Sequence, residues 1–124
     1  MKSIYDKKDL LITGGTGSLG KGLVRFLLKN HPELNRIIIY SRDEQKQFQM
    51  EKEFPISKFT QLRYFIGDVR DLPRLERALK DVDFVIHAAA MKHVHIAEYN
   101  PDECVKTNVG GAQNVIDACF KNNI

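Results

Sequence analysis

The sequence predicts an α/β fold, a parallel sheet with helices on both faces. Three observations lead there. Short solid apolar runs alternate four times with longer segments of helical periodicity. A glycine-rich stretch, Thr13-Gly14-Gly15-Thr16-Gly17-Ser18-Leu19-Gly20, separates the first run from the first periodic segment. Strands spaced by helices join parallel neighbours through right-handed crossovers. Together they describe a Rossmann-type sheet, truncated after about four strands, in one domain spanning residues 1–124.

The strands are expected at Leu10-Leu11-Ile12, Ile37-Ile38-Ile39-Tyr40, Leu62 to Ile66 (broken by Arg63) and Phe84-Val85-Ile86. Each is short and apolar at consecutive positions, as a strand covered on both faces should be. Leu19, Leu23, Phe26 and Leu27 recur at helical spacing after the first run, and Leu72, Leu75 and Leu79 after the third. Val109, Ala112, Val115, Ile116, Cys119 and Phe120 make the cleanest apolar stripe. Ser41-Arg42-Asp43-Glu44 fits a capping box, Asn100-Pro101-Asp102-Glu103 combines a cap, a first-turn proline and acids, and Asp71 with Pro73 gives a looser start signal. After the last helix a further strand is due, so the chain reads as the front part of a longer fold.

Hydrophobic residues at 43% of 124 positions suffice for one core. The net charge of +3 comes from scattered basic residues, which lack the patch of a nucleic-acid binder but leave a small anionic ligand open. Cys104 and Cys119 have no metal-ligand spacing and read as reduced thiols, Cys119 on a helix's packing face. The N-terminus is polar, and no apolar stretch reaches the length of a membrane span. The expectation is a cytoplasmic protein with no membrane or nucleic-acid partner.

The glycine stretch meets the physical demands of a dinucleotide site. One glycine makes the tight turn, one lets backbone approach a pyrophosphate, and one brings helix and sheet together. Gly15, Gly17 and Gly20 satisfy one spacing of the motif, and Gly14, Gly17 and Gly20 a wider one. The helix N-terminus then faces the phosphates with N–H groups. No Gly-Lys-Ser/Thr follows, which excludes a P-loop.

The end of the second strand separates NAD from NADP. Ser41 and Arg42 stand there, with Lys46 one turn further on, where an NAD site wants a carboxylate. A guanidinium suits a 2′-phosphate and stacks on adenine, so NADP is the expected cofactor. Asp43, read as a dipole-stabilising acid inside the helix start, keeps NAD open, and Ser41 can equally cap the helix. At the third strand's end Asp68 either accepts from the adenine amino group, with Val69 covering the ring, or caps a helix. The fourth ends in His87-Ala88-Ala89-Ala90-Met91-Lys92-His93-Val94-His95, where small residues let a ring or ribose lie on backbone and Lys92 borders its path. His93 and His95 lack a third metal ligand, so no metal is expected. His87 reads as a packed or hydrogen-bonded residue.

These residues resemble the extended short-chain dehydrogenase/reductase family: the glycine stretch, Gly67-Asp68-Val69-Arg70, and Asn108-Val109-Gly110-Gly111-Ala112-Gln113-Asn114-Val115. Tyr40-Ser41-Arg42-Asp43-Glu44, Ala88-Ala89-Ala90-Met91-Lys92-His93-Val94 and Glu98-Tyr99-Asn100-Pro101 are similar to a narrower branch, the inverting UDP-N-acetylglucosamine 4,6-dehydratases. The resemblance covers essentially the whole chain. It implies NADP contacts from Thr16, Gly17, Ser18, Leu19, Ser41, Arg42, Asp43, Glu44, Gln45, Asp68, Val69, Ala88 and Lys92, to which the reading of the residues adds Gly14, Gly20, Lys46, Ala89 and Ala90. Lys92 would also touch a UDP-sugar, and Asn108 would be a structural polar residue nearby. His95 departs from the branch's usual proline. The implied reaction is redox-neutral: C4 oxidation, loss of water across C5 and C6, and reduction at C6. The family's catalytic Thr-Asp-Lys and Tyr-x-x-x-Lys groups do not occur in this chain, so no catalytic residue is expected here. Relatives of this kind assemble, which implies a homo-oligomer. A sugar-nucleotide C4-epimerase fragment and a stand-alone NADP-binding module without chemistry are the alternatives.

Overall fold

The computed structural model describes residues 3–88 and 109–124. Four parallel strands, β1 (Asp9–Thr13), β2 (Arg36–Ser41), β3 (Leu62–Ile66) and β4 (Phe84–His87), form one sheet in the order β3-β2-β1-β4. Helices α1 (Ser18–Asn30), α2 (Glu44–Glu53) and α3 (Leu72–Ala78) connect successive strands, and α4 (Gly111–Lys121) follows β4 in the chain. The order reverses between β1 and β4, so the carboxyl ends of these strands flank the switch point where open α/β sheets bind ligands.

Strand alternation sorts the core into two layers. Leu10, Ile12, Ile37, Ile39 and Leu62 face one way and pack with Val24 and Leu27 of α1 and Met50 of α2. Leu11, Ile38 and Tyr40 face the other way, toward Leu75 and Ala78 of α3 and Val115 and Ala118 of α4. Helices therefore cover both faces, as expected. Among the described residues β1 is buried throughout and β2 nearly so, whereas β3 and β4 are partly open and each pairs with one described neighbour.

Two helix faces differ from the sequence expectation. In α1 the buried residues are Gly20, Val24 and Leu27, while Leu19 and Phe26 are more than half exposed. In α4 they are Gly111, Val115 and Ala118, with Ile116 and Phe120 exposed, as is Val109 just before the helix. Each helix turns its small residues inward, which lets its axis lie close to its neighbour. Cys119 is half-buried beside the second layer, and burial pushes its thiol up.

The helix starts also need correction. Asp43, not Ser41, is the N-cap of α2, its carboxylate accepting from the Lys46 N–H at 3.0 Å. Ser41 is the last residue of β2, and its Oγ accepts from the Asp43 N–H at 3.2 Å, a local turn that ends the strand. Asp43 thus lies just outside the helix rather than within it. Asp71 caps α3 by accepting from the Arg74 N–H, and the expected proline follows in the first turn. That role excludes Asp68 as the cap. The start expected at Asn100 lies outside the described residues, as does Cys104.

Candidate functional site: the carboxyl edge of the sheet

The loop between β1 and α1 uses its glycines for four different reasons. Gly14 has φ 68°, the left-handed region, and its N–H donates to the Tyr40 carbonyl at 2.9 Å. A Cβ on Gly15 would meet Ile39 Cγ2 at 2.7 Å, and one on Gly20 would lie 2.5 Å from the carbonyl carbon and oxygen of Gly15. Gly17 differs. Its φ of −76° is open to any residue, and a Cβ there would meet only the Gly14 carbonyl oxygen, at an ordinary 3.6 Å. Nothing within the described fold requires a glycine at 17, so space outside the chain is what the missing side chain leaves.

Gly17 is also the N-cap of α1. No side chain caps this helix and no acid stands in its first turn, in contrast to α2 and α3 with their aspartates. The N–H groups of the first turn, beginning at Ser18, have no intrahelical acceptor. The resulting partial positive charge suits an anion.

Thr16 and Ser41 are both buried, and their hydroxyls hydrogen-bond at 3.1 Å, joining the glycine loop to the end of β2. Arg42 follows with its side chain 55% exposed and its Nη1 3.9 Å from Asp68 Oδ2. Asp43 is engaged as the helix cap, and Glu44 and Gln45 are in the first turn of α2 with Lys46. The structure therefore brings Gly14, Thr16, Gly17, Ser18, Leu19, Gly20, Ser41 and Arg42 to one edge. The Leu19 side chain points largely into solvent.

Asp68 occupies the neighbouring turn. Its Oδ1 accepts from the Arg70 N–H at 2.9 Å and its Oδ2 from the Arg70 guanidinium at 2.8 and 3.0 Å. Burial raises the carboxyl, but the Arg70 side-chain and backbone hydrogen bonds, with the charges of Arg70 and Arg42, hold it below its ordinary value. Asp68 is an acceptor carboxylate at neutral pH. Val69, 5% exposed, packs into the second core layer. Beside this turn opens a hollow of about 610 Å³ lined by Asp68, Arg70, Asp71, Leu72, Pro73 and Asn114.

At the centre of the edge, Thr13 Oγ1 accepts from the Ala88 N–H at 3.1 Å and shares a hydrogen bond with His87 Nδ1 at 2.6 Å. His87 is thus a hydrogen-bonded strand-end residue, as expected, and partial burial lowers its pKa. Ala89, Ala90, Lys92, His93, His95 and Asn108 lie outside the described residues. Among the described residues no cluster of His, Cys, Asp or Glu could hold a metal ion, and no helix is long and apolar enough to cross a membrane.

Several residues that build this edge were given no role by the sequence, although Tyr40 and Asn114 stand in the quoted motifs. Gln47 is 4% exposed and donates from Nε2 to the carbonyls of Ser41 and Phe65, at 3.1 and 3.0 Å, tying the ends of β2 and β3 together. Tyr40, Arg74 and Asn114 each bond backbone in the Ile66–Val69 turn. Their one sequence signal is a polar group in or beside an apolar pattern, and it names no partner.

A four-stranded parallel sheet with a glycine-lined, uncapped helix start at its switch point defines a Rossmann-type domain of the kind found in sugar-nucleotide dehydratases and epimerases. The chain belongs to the polysaccharide biosynthesis protein family, whose profile matches residues 10–124. It is 64% identical over 121 residues to the UDP-N-acetylglucosamine 4,6-dehydratase (inverting) of Campylobacter jejuni subsp. jejuni, covering 98% of this chain and 35% of that protein. The chain thus spans about a third of the length of the relatives it matches. Among solved structures, Pen from Bacillus thuringiensis superimposes with a TM-score of 0.89 at 39% identity, over 98% of this chain and 36% of that one. A double mutant of the dTDP-glucose 4,6-dehydratase DesIV from Streptomyces venezuelae, solved with NAD and DAU bound, gives 0.78 at 28% identity, over 93% and 36%.

Proposed function

We propose that the chain is the NADP-binding portion of a UDP-N-acetylglucosamine 4,6-dehydratase. The observation that carries the cofactor reading is Gly17: a glycine demanded by neither backbone angle nor packing, at the head of a helix whose N–H groups no side chain takes. Its missing side chain and that helix start would hold the diphosphate. Arg42, exposed at the end of β2, would meet the 2′-phosphate with its forked donors, and Lys46 adds charge one turn on. Asp68 would accept from the adenine amino group over Val69, and Ala88, Ala89 and Ala90 would leave room for the ring and ribose. Lys92 would border both cofactor and UDP-sugar. Bound there, the cofactor would supply a hydride acceptor for sugar C4 and, in its reduced form, a hydride donor for C6.

The dehydratase, rather than the epimerase, is supported by the 64% identity to the Campylobacter enzyme. The groups that move protons at C4, C5 and C6 would belong to the remainder of a longer, cytoplasmic, self-assembling protein. Two measurements test the reading. Mass spectrometry of UDP-N-acetylglucosamine incubated with NADP⁺ and the longer protein should show a product lighter by one water, whereas C4 epimerisation changes no mass. Titration of this chain should give tighter binding of NADP⁺ than of NAD⁺, and Arg42→Ala should remove the difference. Equal losses for both cofactors would sink the 2′-phosphate role.

A further inference from the structure

The Ile66–Val69 turn is anchored by side chains from three other elements. Arg74 of α3 donates through Nε and Nη2 to the Ile66 carbonyl at 3.1 and 3.0 Å, with its guanidinium over the Phe65 ring, 4.0 Å from the centroid. The Tyr40 hydroxyl, from β2, donates to the Asp68 carbonyl at 2.9 Å. Asn114 Nδ2, from α4, donates to the Val69 carbonyl at 2.9 Å. The Tyr40 ring stacks on Phe65 at 5.9 Å and lies directly beneath Gly67, where a Cβ would come within 2.5 Å of its Cζ and hydroxyl oxygen. A strand-end tyrosine is 1% exposed, yet its one polar atom is spent on the backbone of the residue whose carboxylate lines the site.

We propose that Tyr40 and Asn114 are positioning residues for adenine recognition: they fix the backbone of Asp68 and Val69 so that the carboxylate meets the adenine amino group at a set distance. This rests on the adenine role given to Asp68 above. The physical reason is that a short strand-to-helix turn with its carbonyls satisfied only by water can shift by tenths of an ångström. A single hydrogen bond to one amino group is sensitive to such shifts. Tethers from β2 and α4 hold the turn from both sides and pre-organise it, so little ordering remains for binding to do.

The test compares Kd for NADP⁺ and for its hypoxanthine analogue, in which a carbonyl replaces the adenine amino group. The unaltered chain should favour NADP⁺ by on the order of fivefold, the value of one net hydrogen bond. Tyr40→Phe keeps the ring under Gly67 and removes only the hydroxyl. It should bring that preference toward unity, mainly by weakening NADP⁺ binding. Asn114→Ala should act in the same direction, and it serves if the Tyr40 variant fails to fold. A merely structural role would weaken both ligands equally and leave the preference intact, and that result would overturn the inference while the adenine role of Asp68 stands. No preference in the unaltered chain would instead remove the adenine role, and the inference with it.

Discussion

Gly17, the N-cap of α1, and Gly20, in its first turn, lie three positions apart and lack a side chain for opposite reasons. Gly20 is pressed against the backbone of Gly15, so an added methyl collides with atoms that cannot rotate away. Gly17 faces open space. Gly20→Ala should therefore destabilise the fold by about 1–3 kcal/mol, because overpacking against backbone outweighs alanine's better helix propensity. Gly17→Ala should change stability by no more than about 1 kcal/mol, the range of N-cap substitutions, while weakening NADP⁺ binding by roughly tenfold or more. Thermal melts and cofactor titration of the two variants check the contrast; a Gly17 variant that binds normally would remove the diphosphate from that position. The glycine loop was legible in the sequence because glycine announces itself at a fixed spacing. Tyr40, Gln47 and Asn114 were not, because a polar atom aimed at a distant carbonyl leaves no spacing to read.

Helices α1 and α4 carry one lesson about elements. Of the expected stripes, Leu23 and Leu27 of α1 and Val115 and Cys119 of α4 pack inward, whereas Leu19, Phe26, Ile116 and Phe120 stay exposed and Gly20, Val24, Gly111 and Ala118 complete the buried faces. Periodicity weighs side chains that are present, whereas close packing here depends on side chains that are small or missing. Strand positions fared better, since each solid apolar run became a strand with its ends shifted by a residue or so. Helix α2 has few apolar residues and buries only Gln47 and Met50, so its attachment depends on Gln47 bonding the ends of β2 and β3. Gln47→Leu keeps the volume and loses both bonds. A loss of about 1–3 kcal/mol is expected in urea unfolding, the cost of two hydrogen bonds to carbonyls of which Ser41's keeps the Gly67 N–H at 3.0 Å; an unchanged midpoint would show that solvent replaces the glutamine.

At the scale of the molecule, the sheet is complete at its centre and open at its margin. Strand β4 pairs with β1 on one side, and among the described residues no strand lies on the other. Val109, Ile116 and Phe120 of the α4 region add exposed apolar surface. Unpaired strand edges and apolar helix faces both favour association between copies. Light scattering of this chain should show an average mass that rises with concentration, and a constant monomer mass at high concentration would count against it. The sequence carried the alternation, hence the parallel sheet, while the strand order that sets the switch point came with the fold. The paired hydroxyls of Thr16 and Ser41 were out of its reach, because they meet only after β1 and β2 align.

That buried pair has a practical consequence for anyone wishing to retune cofactor choice. Ser41 stands where a swap toward a carboxylate would first be tried, but its hydroxyl also secures Thr16 in the glycine loop, 25 positions away. An acidic replacement would put a charge into a buried contact and loosen the diphosphate grip along with the 2′ preference. On the proposed NADP reading, specificity and affinity would be coupled at Ser41 and separable at Arg42, whose side chain is 55% exposed, so a redesign should begin one residue later.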